Sequence, residues 1–242
     1  MADPNGQFKD KDVTWGIGQS LGIGLLAFLL PQVIVAFVLA FIASVQGVDL
    51  QDLISEDNIG VTFALSASIS LLGTLIVWLY LKRKNVFKRL GFKKIDWDDV
   101  WLAIPGYAVY FVLAFIANIA LVALYPELAE QEQDTGFTNA AGIELMMAFV
   151  ALVIIAPVYE ELLFRGFVFR GLAKATSFWP AALTVSFLFG LAHGQLNVAV
   201  DTFLVGMVAS WLVWHTKSIW PAILLHVIKN FVAYIFLFVL EV

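Results

Sequence analysis

The sequence predicts an all-α fold, a polytopic transmembrane helical bundle of about seven to eight spans. Three observations predict it. Hydrophobic residues fill 61% of the 242 positions and charged residues only 14%, where a soluble domain carries about a quarter charged. Lipid must therefore be part of the solvent. The apolar residues fall into runs matching the roughly 20 residues that cross a bilayer core. The cations, finally, crowd into alternate connections between those runs. The 21 Phe and 8 Trp suit lipid-facing surfaces and interfacial belts.

Taken in order, a polar stretch from Met1 to Val13 reads as a short extramembrane leader, because the apolar run behind it is too long for a signal-peptide core. The first span covers 18–45; Pro31 inside it removes a backbone donor and can split it, which would give the eighth span. Polar residues from Asp49 to Asn58 end it, and 59–81 form the second span. Lys82 to Asp99 is a charged connection before the third span at 100–124. Tyr125 to Gly142 leads to the fourth at 143–170. The fifth occupies 178–194, a turn at Gly194–Asn197 follows, and the last two spans are 198–215 and 218–239. There is no convincing internal repeat, and residues 1–242 read as a single transmembrane domain.

Charge placement sets the expected orientation. Lys82, Arg83, Lys84, Lys88, Arg89, Lys93 and Lys94 share one connection, which by the positive-inside rule faces the cytoplasm. Counting spans puts Lys9, Lys11, Arg170, Lys174 and Lys217 on the same side. The opposite connections carry Asp49, Asp52, Glu56, Asp57, Glu127, Glu130, Glu132 and Asp134 and no Lys or Arg. The expected localisation is an integral, multi-pass cell-membrane protein with the N-terminus and the opening of its site on the cytoplasmic side. The absence of Cys excludes disulfides, thiolate metal sites and a Cys nucleophile.

The charges left inside apolar runs are the candidates for function, since ionisable groups at membrane depth are expensive. Glu160-Glu161-Leu162-Leu163-Phe164-Arg165 lies in the fourth span. Glu161 and Arg165 form an i, i+4 pair, acid first, which leaves Glu160, about 100° round the helix, to face elsewhere. Pro157, one turn earlier, can kink the helix beside it. The plainer reading is that both carboxylates reach for water at the membrane edge; the apolar run Gly166 to Phe169 beyond Arg165 argues against it. His193, in Phe189-Gly190-Leu191-Ala192-His193, is either an interhelical hydrogen-bonding group or part of a site. His226 and Asn230, four apart, share one face of the last span and are a polar clamp or a second half of that site. His215, between Trp214 and Lys217, reads as interfacial. Depth supports the grouping imperfectly. At 1.5 Å per residue Glu160 and His226 lie about 15 and 12 Å from the lysine-side ends of their helices, and His193 about 20–24 Å, so the His193 helix must tilt or start later. Asp201 and Lys229 are further buried charges.

Glu-Glu-x-x-x-Arg, Phe-x-x-x-His and His-x-x-x-Asn, in this order and each in its own span, resemble the CPBP intramembrane protease family. That family includes the type II CAAX prenyl endopeptidases and bacterial relatives linked to bacteriocin processing and immunity. The resemblance covers about Met146 to Ile235, inside a motif-bearing core of about 143–239. It implies an intramembrane endopeptidase with its active site inside the membrane. Its substrate is a membrane-associated protein or peptide, with or without a lipid chain; nothing points to a nucleic-acid partner.

Peptide hydrolysis needs an activated water and stabilisation of the oxyanion. In the metal-free version, favoured by the glutamate-type catalysis proposed for close relatives, Glu160 is the general base. His193 helps hold the water, His226 and Asn230 donate to the oxyanion, and Arg165 positions Glu161. In the zinc version Glu160, His193 and His226 are the ligands and Glu161 is left as base. There is no His-Glu-x-x-His motif, the stronger zinc signal. Two other classes remain open: a non-catalytic membrane scaffold of the same family, and a transporter relaying protons through Glu160, His193 and Asp201, against which the missing repeat argues.

Overall fold

The computed structural model describes residues 8, 10–54, 58–82, 85–130 and 135–240. Lys9, Glu56, Asp57, Arg83, Lys84, Glu132 and Asp134 lie outside the described residues, as does the Glu130 side chain. Among the described residues there is no strand. Among the described residues six helices are long and apolar enough to cross a membrane: α1 (Ile17–Gln46), α2 (Ile59–Leu81), α3 (Trp97–Leu124), α4 (Ile143–Ala175), α6 (Leu196–Thr216) and α7 (Trp220–Val239). A shorter apolar helix, α5 (Phe178–Leu191), stands between α4 and α6. The protein is thus a multi-pass helical membrane protein. α1 runs through Pro31 without ending, so the first apolar run makes one helix. α4 continues to Ala175, past the expected end of its span.

The helices divide by burial. Half of the apolar window of α4 and of α6 lies inside the protein, against 6% for α3. α3 is apolar all round and gives most of its surface to lipid. α4 and α6 are the centre, with α1 and α2 packed on one side of α4 and α7 on the other. Close approach depends on small residues. A Cβ on Gly73 of α2 would stand 2.7 Å from Ala27 O of α1; at this crossing the Tyr159 hydroxyl of α4 donates to that same Ala27 carbonyl at 3.0 Å.

The leader is more than a polar tail. Phe8 and Val13 are buried, as is Trp15 just beyond the leader; Trp15 Nε1 donates to Phe167 O of α4 at 2.9 Å with its ring stacked on Phe167. Asp10 meets the buried Arg170 at 2.7 Å. This segment, the short helix Val86–Arg89 and Gly91 close the lysine-rich end of the bundle. Gly91 is there because its φ of 94° is a left-handed conformation and because the Arg170 guanidinium passes it.

Candidate active site

The site begins with a defect in α4. Between Val150 and Ile155 the helix widens, and Ala156 N–H donates to Ala151 O, five residues back. In that register the next carbonyl, Leu152 O, would look to residue 157 for its donor. Residue 157 is proline and has none. With no water in a bilayer core, an orphaned carbonyl is costly. Asn230 of α7 supplies the donor, its Nδ2 lying 2.8 Å from Leu152 O. Farther along the same pair of antiparallel helices the Tyr234 hydroxyl donates to Leu145 O at 2.9 Å. α7 is therefore fixed against α4 at two carbonyls.

Beyond Glu160 the helix widens again, from Glu161 to Phe169; such widened turns recur at functional sites. The expected Glu161–Arg165 pair forms, with Arg165 Nη1 2.9 Å from Glu161 Oε1. The same carboxylate oxygen lies 2.9 Å from His226 Nδ1. All three side chains are buried, Glu161 1%, Arg165 0% and His226 3% exposed. His226 Nε2, on the other side of the ring, lies 3.7 Å from Glu160 Oε2, and the Glu160 side chain remains 23% exposed. His226 is thus set between two carboxylates: one sealed and tied to arginine, the other partly accessible. Arg165 packs its guanidinium over the Phe189 ring, 4.3 Å from the centroid. Gly206 of α6 makes room for it, since a Cβ there would stand 2.6 Å from Arg165 Nη2. Among the described residues Glu161 Oε2, Arg165 Nε and Arg165 Nη2 are buried with no hydrogen-bond partner, so the cluster keeps polar capacity beyond its own pairs.

His193 is brought to the same place by a different route from the one expected. α5 has 14 residues, about 21 Å, and stops at Leu191; His193 stands in the turn after it rather than within the helix. The depth mismatch with Glu160 closes from the other side: α4 runs on to Ala175, which puts Glu160 about 22 Å from its lysine-side end, level with His193, about 22 Å past the start of α5. His193 Nδ1 lies 2.8 Å from Phe189 O. A carbonyl can only accept, so Nδ1 carries the proton and a neutral ring presents a bare Nε2. The rings of His193 and His226 both stand edge-on to Phe189, at centroid distances of 5.0 and 5.8 Å. Glu160, Glu161, Arg165, His193 and His226 are therefore gathered around the Phe189 ring and its neighbours. Asn230 joins α7 to α4 beside them, and the hydrogen bond it makes goes to Leu152 O.

The other two charged residues singled out within the apolar runs, both part-buried, form a separate group. Lys229 Nζ lies 3.1 Å from Asp201 Oδ2, and the Tyr110 hydroxyl donates to Asp201 Oδ1 at 2.5 Å. This triad links α3, α6 and α7; Tyr110 is the partner that sequence reasoning missed, one tyrosine among many aromatic residues. His215 stacks on Trp211, as an interfacial ring does. Among the described residues no three His, Asp or Glu side chains are grouped as metal ligands, and His226 Nδ1 is committed to Glu161. The commitment of Nδ1 leaves His226 Nε2 open toward Glu160; no step below is routed through a metal.

Residues 142–232, from the start of α4 into α7, match the family described as type II CAAX prenyl endopeptidase Rce1-like. Among curated proteins the chain is similar to the putative membrane peptidase YdiL of Bacillus subtilis, 25% identical over 179 residues, 73% of this chain and 72% of that protein. It is also similar to the membrane-embedded CAAX protease MroQ of Staphylococcus aureus, 27% identical over 165 residues, 65% of this chain and 66% of that protein. No solved structure matches the chain. With the three motifs in order within it, the matched region is similar to the type II CAAX prenyl endopeptidase Rce1-like family and to membrane proteins named as peptidases.

Proposed function

We propose that the chain is an intramembrane endopeptidase that hydrolyses a peptide bond of a membrane-associated protein or peptide, with or without a lipid chain, using a water activated by Glu160. The observation that carries this reading is the setting of His226, its Nδ1 on the buried Glu161–Arg165 pair and its Nε2 facing the more accessible Glu160. Paired carboxylates in such unlike surroundings suit unlike tasks.

Glu160 takes a proton from water as the water oxygen bonds to the scissile carbonyl carbon, and the carbonyl π pair moves onto its oxygen. The bare Nε2 of His193 accepts the second water hydrogen and holds the water in line. His226, doubly protonated, directs Nε2–H at the oxyanion. With that proton the group of Glu160, Glu161, Arg165 and His226 carries no net charge, which suits a low-dielectric surround. The second amide N–H of Asn230 faces the same task. Glu160 then delivers its proton to the leaving nitrogen as the C–N bond breaks, giving a carboxylic acid, an amine and the original carboxylate. Glu161 and Arg165 act through His226 by fixing its ring. By the positive-inside rule the lysine-rich end faces the cytoplasm.

The test is cleavage of membrane-tethered peptides in liposomes by wild type, Glu160→Ala and His193→Ala, with metal content measured on the same samples. Loss of a general base lowers the rate by about 10²–10⁴-fold. Full cleavage by a folded Glu160→Ala removes the assignment. No cleavage by any form, with cellular function preserved in Glu160→Ala, favours a scaffold. Stoichiometric zinc lost on His226→Ala replaces the metal-free route.

A further inference from the structure

At the end of the bundle remote from the α5–α6 turn, four separate segments line an open depression of about 660 Å³. Its walls carry Lys11 from the leader, Lys93 from the α2–α3 connection, Lys174 from the end of α4 and Lys217 from the α6–α7 turn, with Asp10 and Asp12 beside them. The acids are already engaged. Asp10 lies 2.7 Å from the buried Arg170 and 3.7 Å from Lys93, and Asp12 lies 3.5 Å from Lys88, which is not on the wall of the depression. Among the described residues Lys11, Lys174 and Lys217 make no ion pair with a carboxylate, and Asp10 acts on Lys217 only from beyond ion-pair distance.

Two of these lysines are held in place rather than waving in solvent. Lys174 Nζ donates to Val13 O, and Lys217 Nζ donates to Trp214 O at 2.6 Å while lying 4.0 Å from the Phe8 ring centroid. An ammonium has three donors, so each keeps two. Burial first, then Arg170 and Lys93, lower the Lys217 pKa to about 8 against the opposing pull of Asp10; at neutral pH it remains mostly charged beside other cations. Orientation in the membrane requires only that cations lie on this side. It does not require that the leader fold back, bury Phe8 and Val13, and bring lysines from four segments to one depression.

We propose that this depression is a binding site for a phosphate-bearing anion, held by Lys11, Lys174 and Lys217 at the membrane interface. Two sources share that chemistry: the headgroup of an anionic lipid and a free phosphate in the aqueous phase. Phosphate oxygens would accept the spare N–H donors and relieve the crowding of like charges.

The test is thermal unfolding of the full chain in detergent, followed by tryptophan fluorescence. One arm titrates inorganic phosphate against chloride at equal ionic strength. The other titrates phosphatidylglycerol against phosphatidylcholine. Stabilisation by inorganic phosphate assigns the free anion; stabilisation by phosphatidylglycerol alone assigns the headgroup. In either case Lys11→Gln and Lys174→Gln weaken the apparent affinity by about fivefold or more, and Lys82→Gln, a cation outside the depression, does not. Among the described residues the Lys11 side chain makes no hydrogen bond that its loss would break, so it serves even if Lys174→Gln does not fold. Equal unfolding in all four additives, or an equal loss in Lys82→Gln, overturns the proposal.

Discussion

The bond between Asn230 and Leu152 gives a quantitative prediction, because its cause is a single missing hydrogen. Pro157 cannot donate to Leu152 O in the widened register, and Asn230 donates instead at 2.8 Å. Asn230→Leu keeps the side-chain size and leaves the carbonyl orphaned, a loss of about 1–3 kcal/mol. Pro157→Ala restores an N–H at the position the register requires. In that background Asn230→Leu should cost much less, since the restored N–H can serve Leu152 O within the helix. The expected coupling is about 1 kcal/mol and at most about 1.7, the range of hydrogen bonds between membrane helices. The assay is reversible unfolding in mixed dodecyl sulfate and maltoside micelles for the four proteins of the cycle. Additive effects would refute the reasoning. Cleavage rates on the same proteins separate two roles of Asn230. If it only positions α7, the Pro157→Ala background recovers rate along with stability; if its second N–H also serves the oxyanion, the rate stays low while stability returns.

Arg165→Met should destabilise the protein by about 3–5 kcal/mol, because it leaves the Glu161 carboxylate, 1% exposed, without its guanidinium. Adding Glu161→Gln should return part of that loss; an Arg165→Met protein as stable as wild type would show that the pair holds nothing. Lys217 gives a pH dependence. Its pKa is near 8 in the fold and about 10.4 in the unfolded chain, so between those values the unfolded chain binds more protons and stability rises with pH. The midpoint of wild type should therefore gain on that of Lys217→Met from pH 7 to pH 9.5, and a constant gap would contradict the assignment.

The sequence was most informative where one physical rule decides. Run lengths set by bilayer thickness located the helices to within a few residues, and the i, i+4 rule paired Glu161 with Arg165. Four things were not legible. The end of α5 at Leu191 is invisible in an apolar run that continues through Ala192, so His193 was placed on a helix rather than in a turn. The docking of Phe8, Val13 and Trp15 has no periodic pattern, and the leader looked merely polar. The partner of Lys229 lies on another helix, and choosing Asp201 from several acids requires knowing that α6 and α7 are neighbours. Asn230 shows the limit most clearly: Pro157 announces an orphaned carbonyl, but which carbonyl depends on a widening of α4 that composition does not encode.

Two adjacent glutamates with unlike roles are the centre of the proposed chemistry, and their side-by-side substitution tests it most directly. The measurement is the cleavage rate in liposomes of Glu160→Gln and Glu161→Gln, each scaled to its folded fraction. With Glu160 as base, Glu160→Gln falls by about 10²–10⁴-fold, while Glu161→Gln keeps measurable turnover through a less well-held His226. The reverse order, with Glu160→Gln active and Glu161→Gln dead, would contradict it.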